Sequence, residues 1–301
     1  MSGKAVYTEI TCDSAATKNK RNIPCGWDAN IYRGCAHGCK YCYALYSHKY
    51  IGSLDFFNDI YVKKNFIDEL EKQLSAPSWN RETINFGGVT DSYQPIEAKY
   101  RLMPEVLKLL IKYKTPVIIS TKSTLALRDY DLIDELSRIA YVNIAATITT
   151  ADENVRRKIE PYAASSEARF KMLKEFRKTN ASVGLHMMPI IPYITDSYKN
   201  LNALLIGAKD SDVSYVLPGT MRLRGQTREY FFKFIAQSFN ELYMPLKALY
   251  KTGSLSAEYK NNLYSMLLPL MESYGLSADY AKPMKEKMHR QQPVAEQLTL
   301  F

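Results

Sequence analysis

The chain has 301 residues, 46% of them hydrophobic and 24% charged, a composition typical of a globular protein and not of a disordered or fibrous one. No apolar run approaches the roughly 20 residues of a membrane span, and the N-terminus has no signal-peptide core, so we expect a cytoplasmic protein without a membrane partner. Forty basic residues against 31 acidic ones give a net charge of +9, which suits a polyanionic partner such as DNA or another nucleic acid.

Short apolar runs alternate with amphipathic segments between about residue 28 and residue 240. After a first strand near Ala29–Arg33, buried strands are predicted at Ile84–Gly87, Pro116–Thr121, Tyr141–Thr147, Ser182–Met188 and Val213–Leu217. Segments with apolar residues at helical spacing separate these strands, and Asp152 and Asp196 are candidate helix N-caps. Alternation of this kind predicts six parallel βαβ units and therefore an α/β fold.

The strand pattern stops after about residue 225, and helices are predicted over residues 230–251 and 257–274. The chain accordingly divides into four segments: an irregular lead-in (1–27), an α/β domain (28–225), a helical C-terminal extension (226–290) and a flexible tail (291–301).

Three of the five cysteines lie within eight residues, as Cys35, Cys39 and Cys42 in the order C-x-x-x-C-x-x-C. Three thiolates can hold three irons of a four-iron cluster and leave the fourth iron open to a substrate or cofactor. A zinc site is the alternative, and its fourth ligand could come from Cys25, His37 or His48. A disulfide pair would leave one of the three cysteines over.

The order Cys-x-x-x-Cys-x-aromatic-Cys resembles the signature of the radical SAM enzymes. The longer run from Asn30 to Ala44 is similar to a narrower group, the spore photoproduct lyase-like proteins, and the similarity continues to about residue 220. The resemblance implies an open partial TIM barrel, (β/α)6, with Cys35, Cys39 and Cys42 holding a 4Fe-4S cluster. It also implies that S-adenosylmethionine binds the open iron. An electron donor such as flavodoxin or ferredoxin would reduce the cluster, and cleavage would yield a 5′-deoxyadenosyl radical.

Tyr41 and Tyr43 stand on either side of Cys42. The resemblance implies that Tyr41 lies near the adenine of the cofactor, and that both tyrosines act in a hydrogen-atom relay back to the cofactor. Packing beside the cluster is the alternative for each of them.

The segment from Gly87 to Asp91 follows a predicted strand. Gly87 and Gly88 permit close approach of the backbone to a ligand, and they resemble the glycine motif that binds the methionine amino group in the superfamily. Thr90 and Asp91 add oxygen atoms for cofactor or substrate.

Lys122 ends the next strand, where the resemblance implies a point charge for the methionine carboxylate of the cofactor. A surface lysine is the alternative. Thr147 ends the strand after that, where it can contact ribose. Glu160-Pro161 followed by Arg169 resembles a recurrent motif of the group, although an ion pair at a helix terminus would explain it equally.

Val89 is a departure from the group, since it stands where spore photoproduct lyase carries a cysteine that quenches the product radical. Authentic spore photoproduct repair therefore requires another hydrogen donor. Cys12 and Cys25 are the thiols that remain, and each is either a structural thiol or a residue with a redox or hydrogen-donating role.

The chain ends with Gln297, Leu298, Thr299, Leu300 and Phe301, which resembles the peptide by which bacterial proteins bind the replicative sliding clamp. Leu300 and Phe301 would fill an apolar pocket of the clamp, and Gln297 would bond at its rim. The alternative is a tail that packs on its own domain.

The leading hypothesis is a lyase-like radical SAM enzyme that acts on DNA or another nucleic acid. A second hypothesis keeps the radical chemistry but gives it a protein, tRNA or small-molecule substrate. A third is a non-catalytic Fe-S or zinc adaptor bound to the sliding clamp.

Overall fold

The computed structural model describes residues 5–19, 25–53 and 55–291, without the side chains of residues 288–291. The strands of these parts are β1 (Val6–Ile10), β2 (Ala16–Lys18), β3 (Trp27–Ala29), β4 (Tyr32–Arg33), β5 (Asp59–Lys63), β6 (Ile84–Phe86), β7 (Val117–Thr121), β8 (Val142–Thr147), β9 (Ser182–Ile190) and β10 (Tyr215–Thr220).

The α-helices are α1 (Phe66–Leu74), α2 (Glu97–Tyr100), α3 (Leu102–Lys112), α4 (Tyr130–Ile139), α5 (Glu153–Ile159), α6 (Ser166–Phe176), α7 (Tyr198–Asp210), α8 (Gly225–Ser238), α9 (Tyr243–Leu249), α10 (Ala257–Ser273) and α11 (Lys282–Gln291). Three further segments are 3-10 helices: Tyr43–Ile51, Leu125–Asp129 and Asn240–Leu242.

The larger sheet has the strand order β10-β9-β8-β7-β6-β3-β2. Neighbouring strands from β3 to β10 are parallel, and β2 adds an antiparallel strand beside β3. Every residue of the central strand β8 is buried, as expected where helices cover a parallel sheet. The predicted α/β class and six parallel strands are thus confirmed, and the sheet is an open partial barrel whose strand C-termini point to one face.

The predicted first strand, Ala29–Arg33, is wrong in its bounds. The barrel strand is β3, which pairs with β6 and ends at Ala29. After a bend, Tyr32 and Arg33 pair with β5 in a separate three-stranded sheet of order β1-β5-β4. The Asn30 side chain accepts a hydrogen bond from the Val89 amide at 3.0 Å, which holds the bend against the loop after β6.

The C-terminal extension is helical as predicted, but the helix expected over residues 230–251 is interrupted. It consists of α8 and α9, separated by the 3-10 turn Asn240–Leu242. Pro245 lies in the first turn of α9, a position that tolerates its missing amide, whereas a continuous helix would lose a hydrogen bond there.

The extension packs against the loop that carries the three cysteines. Cys39 and Tyr41 share one apolar cluster with residues of α8 and α9, among them Phe231, Ile235 and Leu246. Hydrogen bonds join the same parts, because the Thr227 hydroxyl donates to the Cys42 carbonyl at 2.9 Å. The helices after the barrel therefore pack directly against the cysteine loop.

The outer edge of β10 is covered by the segment that precedes α11. The Val216 amide donates to the Ser277 carbonyl at 2.9 Å, although Val216 lies on the last strand of the open barrel. Within the described ranges, no helix is long and apolar enough to cross a membrane. The proposed segment boundaries and the cytoplasmic location stay predictions.

Candidate active site

One cavity of about 640 Å³ opens at the C-terminal ends of the barrel strands. Its volume lies in the range of small-molecule sites, about 300–1,000 Å³. The site residues predicted within the described chain all line it: Cys35, Cys39, Tyr41, Cys42, Tyr43, Gly87, Gly88, Thr90, Asp91, Lys122 and Thr147. The structure thus brings together residues from four separate parts of the chain. The predicted clamp-binding residues, Gln297 to Phe301, lie outside the described residues.

The cysteine loop, residues 35–42, begins after Gly34, which has φ of +79°. A Cβ at this position would lie 2.8 Å from the carbonyl oxygens of Phe56 and Asp59, so only glycine fits. The Cys35 amide donates to the Phe56 carbonyl at 3.2 Å. This contact fixes the start of the loop against the chain that leads into β5.

The segment Ile159–Tyr162, between α5 and α6, runs beside the middle of the cysteine loop. The Lys40 amide donates to the Ile159 carbonyl at 2.8 Å, and the Tyr162 amide donates to the His37 carbonyl at 3.3 Å. Gly38 faces the same segment, where an added Cβ would come within 3.1 Å of the Tyr162 ring. The loop is therefore held by backbone bonds on both sides of Cys39.

A buried charge network continues from this contact. The Tyr41 hydroxyl donates to the Glu160 carboxylate, and Arg169 donates to the same carboxylate at 2.7 Å, with both charged side chains fully buried. Burial opposes ionisation of Glu160, but Arg169 and Lys122 outweigh it and lower the pKa of that carboxyl. The Glu160-Pro161 and Arg169 motif is thus an internal ion pair attached to Tyr41.

Lys122 projects from the end of β7 towards the same region, with its Nζ 5.7 Å from the centroid of the Tyr41 ring. Burial disfavours its charge, but Cys39, Glu160 and Asp91 outweigh burial and raise the Lys122 pKa. A lysine held charged at the cavity wall can bind a carboxylate or phosphate oxygen.

Gly87 has φ of +95°, and a Cβ on it would lie 2.9 Å from the Ser120 carbonyl oxygen. The neighbouring strand end therefore requires a glycine at this position. Gly88 differs, because the atom nearest to its ideal Cβ is Asp28 Oδ1 at 3.6 Å, an ordinary contact. Of the two glycines, only Gly87 is therefore required by the packing of the described residues.

Asp91 is occupied by internal hydrogen bonds. Its carboxylate accepts from His37 at 3.0 Å, from the Thr121 hydroxyl at 2.8 Å and from the Lys122 amide at 2.8 Å. Burial alone would raise the pKa of Asp91, but His37 and these donors lower it to about 2. Its geometry suits orientation of the β7 end better than direct contact with a ligand.

Thr90 is similarly engaged, since its hydroxyl donates to the Gly34 carbonyl at 2.5 Å and accepts from Gln94 at 3.1 Å. Tyr43 is exposed, and its hydroxyl donates to the Gly88 carbonyl. Thr147 lines the cavity, and its carbonyl accepts a hydrogen bond from Arg169.

A mononuclear zinc site does not fit the loop. His37 Nε2 is bonded to Asp91, and His48 Nε2 lies 2.8 Å from the Asp59 carbonyl oxygen. In the ranges that the structure describes, no three side chains of His, Cys, Asp or Glu converge on one ion position. A four-iron cluster needs no such convergence, because each thiolate binds a different iron. Three thiols on one cavity wall therefore fit the cluster.

Burial disfavours the thiolate form of the three cysteines. Burial raises the pKa of Cys39 to about 12, despite the opposing charge of Lys122, and it raises the pKa of Cys42 as well. Metal binding to such thiols must release protons.

Several further cavity residues carried no recognised sequence motif: Cys25, Asn143, His186, Tyr215, Tyr280 and Met284. Asn143 and His186 point inward from β8 and β9, and strand alternation contains this signal once the strand bounds are known. Tyr280 precedes α11 and Met284 lies in its first turn, and no local pattern predicts that this segment reaches the barrel.

Comparison with protein families agrees with this site. Residues 29–205 match the family model of the radical SAM superfamily, so the chain belongs to that superfamily and is a radical SAM enzyme. Members of the superfamily use a 4Fe-4S cluster and S-adenosylmethionine, which are therefore the cofactors of this chain.

Among curated relatives, an uncharacterised protein of Mycobacterium tuberculosis is 33% identical over 301 residues, covering 98% of this chain and 88% of its own length. An uncharacterised protein of Methanocaldococcus jannaschii is 32% identical over 167 residues, covering 56% of this chain and 61% of its own length.

The fold is similar to that of spore photoproduct lyase. A structure of that enzyme complexed with dinucleoside spore photoproduct has a TM-score of 0.64 and 13% identity, covering 89% of this chain and 79% of that one. A mutant with bound AdoMet and dinucleoside spore photoproduct has a TM-score of 0.62 and 12% identity, with the same coverage. At this identity the likeness concerns the fold.

Proposed function

We propose that this radical SAM enzyme acts on nucleic acid, in lyase-like repair or modification of a damaged base. The observation that carries the proposal is that one cavity is lined by three thiols, by a charged lysine and by two glycines that follow a strand. When bound, the cluster and S-adenosylmethionine supply a carbon-centred radical that can abstract hydrogen from a substrate.

The chain's own residues hold and orient these groups. Cys35, Cys39 and Cys42 would each hold one iron, and the bonds of residues 159–162 keep their loop in place. Lys122 would bind the methionine carboxylate as a point charge, and the space beside Gly88 would admit the methionine amino group near backbone carbonyls.

Tyr41 and Tyr43 have different environments for the proposed hydrogen relay. The Tyr41 hydroxyl is buried against Glu160, and burial together with that carboxylate raises its pKa well above the usual value. Tyr41 therefore stays a neutral phenol beside an acceptor for its proton. Tyr43 is 60% exposed, so it can reach a substrate that enters from the mouth.

A nucleic-acid substrate is supported by the exposed tyrosines of the 3-10 helix that begins at the cavity with Tyr43. Tyr43, Tyr46 and Tyr50 lie on one 3-10 helix and are 60%, 46% and 69% exposed. Aromatic faces of this kind stack with bases, and basic residues contact phosphates. Arg222 is exposed and lines the cavity, which adds a positive group at the mouth.

The hydrogen donor of a lyase-like reaction would differ from that of the enzyme that it resembles. Val89 lines the cavity and has no thiol, whereas Cys25 lines the same cavity. Cys12 does not line it, so Cys25 is the better placed of the two remaining thiols. Quenching would transfer hydrogen from sulfur to the product carbon radical and leave a thiyl radical on Cys25.

The test is release of 5′-deoxyadenosine by anaerobically reconstituted, dithionite-reduced protein with S-adenosylmethionine, with and without ultraviolet-irradiated DNA. Release that increases with irradiated DNA supports repair chemistry on nucleic acid. Release that does not respond to DNA would favour a protein, tRNA or small-molecule substrate instead. No release from protein with a full iron complement would contradict the proposal and favour the adaptor.

Two proposed partners accompany this function. An electron donor such as flavodoxin or ferredoxin would replace dithionite in the cell, and a sliding clamp would bind the C-terminal peptide. Pull-down of the purified full-length chain with and without its last five residues tests the clamp directly.

A further inference from the structure

Two cations lie close together on the smaller sheet, outside the cavity. Strands β4 and β5 are antiparallel, and Arg33 is paired with Tyr61. Lys63 follows Tyr61 by two residues on β5, so it shares a face with Tyr61 and is a diagonal neighbour of Arg33. Diagonal neighbours are about 7–8 Å apart, so two long side chains at these positions can reach one small group. Neither cation lines the cavity of the candidate active site.

The face that carries the two cations is turned away from the core. Ile60 and Val62 occupy the opposite face of β5, where both are fully buried in the main hydrophobic core. Asp59, Tyr61 and Lys63 alternate with them along the strand and are half-buried. A ligand can therefore reach the outer face without entering the barrel.

The described part of the chain provides no partner for either charge. No hydrogen bond or ion pair joins the side chain of Arg33 or Lys63 to a described residue. Asp59 is on the same face, but its carboxylate accepts a hydrogen bond from the Ser53 hydroxyl at 2.5 Å. Burial raises the pKa of the neighbouring Cys12, so this thiol stays neutral. The two positive charges are thus unmatched by the residues around them.

Lys63 is held in a position that does not favour its charge. Its Nζ lies 5.8 Å from the centroid of the Phe66 ring, which is fully buried, so the side chain does not extend freely into water. Burial lowers the pKa of Lys63, and Arg33 lowers it further against the opposing effect of Cys12. Like charges that are partly desolvated beside each other are costly, and an anion between them removes that cost.

We infer that Arg33 and Lys63 bind a phosphodiester group of a nucleic-acid strand on the outer face of the smaller sheet. The planar guanidinium of Arg33 can donate to two phosphate oxygens, and Lys63 adds a point charge. The inference rests on the proposed function, and it gives the nucleic acid a second point of contact outside the cavity.

The aromatic residues nearby favour a nucleic-acid strand over free phosphate. Tyr61 lies between the two cations and is half-buried, and its ring centroid is 5.8 Å from that of His48. His48 belongs to the 3-10 helix that carries the exposed Tyr46 and Tyr50. Aromatic rings that alternate with basic residues are the pattern by which proteins hold a single strand, through base stacking and phosphate contacts.

The experiment measures binding of a fluorescein-labelled single-stranded oligodeoxynucleotide to the reconstituted full-length enzyme, by fluorescence anisotropy at several salt concentrations. Arg33→Gln and Lys63→Gln should each weaken binding about 10-fold, the effect of losing a charge-assisted hydrogen bond. Each should also reduce the steepness of log affinity against log salt by about 0.7, the value for one phosphate contact on a single strand.

Lys64→Gln is the matched control, because Lys64 is the next residue and is exposed. It removes the same charge without touching the proposed site, and we expect binding close to that of the unmodified enzyme. Equal losses in the Lys63 and Lys64 variants would show only general attraction to a basic protein and would overturn the site. Unchanged binding in the Arg33 and Lys63 variants would overturn it as well.

Thermal unfolding separates a binding role of Lys63 from a structural one. Lys63→Met removes an unmatched charge and keeps an unbranched side chain, so its melting temperature without nucleic acid should equal or exceed that of the unmodified protein. The oligodeoxynucleotide should then raise the melting temperature of the unmodified protein more than that of the variant. A less stable variant with an equal ligand-induced rise would assign Lys63 to the fold and contradict the inference.

Inorganic phosphate is the second probe, and it identifies the source of the anion. At equal ionic strength it should compete poorly with the oligodeoxynucleotide, because it offers a single contact and no base. If phosphate binds the unmodified enzyme but neither variant, and the oligodeoxynucleotide binds all three equally, the site takes a free phosphate and the nucleic-acid assignment is wrong.

Failure of the site and failure of the proposed function give different results. Release of 5′-deoxyadenosine that rises with irradiated DNA, together with equal strand affinity in the unmodified enzyme and both variants, overturns the site alone. Strand affinity that depends on Arg33 and Lys63, without DNA-dependent release, supports the site and contradicts the proposed reaction.

Discussion

The Tyr41 hydroxyl, placed between two cysteines of the metal-binding loop, donates a hydrogen bond to the Glu160 carboxylate, 119 residues further along the chain. Glu160 is itself paired with Arg169, and neither charged side chain is exposed. The position of the loop therefore depends on an ion pair between the residue that ends α5 and a residue of α6.

Replacing Glu160 with Gln should destabilise the protein strongly, because Arg169 is left as an uncompensated buried charge. Breaking a buried pair in this way costs about 3–5 kcal/mol, and chemical denaturation of the apo-protein would measure it. Glu167→Gln is the matched control, since its pair with Lys171 is on the surface. Equal effects of the two substitutions would show that the buried network is not important for stability.

Cys39→Ala should abolish 5′-deoxyadenosine formation and lower the iron content, because the chain loses one of three iron ligands. Cys12→Ala is the appropriate comparison, since Cys12 is only partly buried and does not line the cavity. Iron analysis and product quantification after identical anaerobic reconstitution would check both. Turnover by the Cys39 variant would contradict the assignment of the cluster ligands.

Gly87→Ala should be more damaging than Gly52→Ala, although both glycines have positive φ, of +95° and +72°. An alanine with positive φ costs about 1 kcal/mol or more from backbone strain alone. At Gly87 the added Cβ also lies 2.9 Å from the Ser120 carbonyl, whereas nothing lies within 4 Å at Gly52. The difference between the melting temperatures of the two variants measures the effect of the contact with Ser120. Similar melting temperatures would show that this contact does not matter.

Lys122→Met should weaken S-adenosylmethionine binding by roughly 10- to 100-fold, the effect of losing about 1.5–3 kcal/mol from a charge-assisted hydrogen bond. The control is Lys108→Met, because Lys108 forms a surface pair with Glu105 far from the cavity. Isothermal titration of the reconstituted proteins gives both affinities. If the two variants bind equally well, Lys122 has no role in cofactor binding.

His186 should make folding stability fall in mild acid. Burial and Lys122 lower its folded pKa to about 4, below the ordinary value of 6.5, so the unfolded chain takes up a proton at a higher pH than the folded one does. The stabilisation that neutral His186 gives the folded state is complete above pH 6.5 and is lost as the pH falls towards 4. The free energy of unfolding should therefore fall by about 2 kcal/mol between pH 7 and pH 5. Urea titrations at the two pH values should show this loss, and His186→Gln should reduce it. An unchanged pH dependence in the variant would assign the loss to other groups.

The parts of the site that the sequence predicted are those with a local signal. The three cysteines, Gly87 and Lys122 follow strand ends in a recognisable order, and the structure gathers them around one cavity. The roles of polar residues were harder to predict, because they depend on distant partners. Asp91 was expected to offer oxygen to a ligand, but its carboxylate is taken by His37 and the end of β7.

Helix capping also separates what a local sequence signal predicts from what depends on a distant partner. Asp152 caps α5 as expected, by accepting from the amides of Asn154 and Val155. Asp196 does not cap α7, because Ser197 does so. Asp196 instead accepts a hydrogen bond from Tyr259, 63 residues away on α10. Capping by an adjacent residue can be recognised from sequence spacing, whereas a partner on another helix cannot.

The hydrogen bond from Val216 to Ser277 has a meaning beyond local packing. An unclosed barrel ends in strands whose free backbone groups invite pairing with another molecule. Here the last strand is covered by the chain's own C-terminal segment, and the opposite side ends in the three-residue strand β2, which contains a lysine. The architecture that leaves room for a substrate thus carries its own protection against edge-to-edge aggregation.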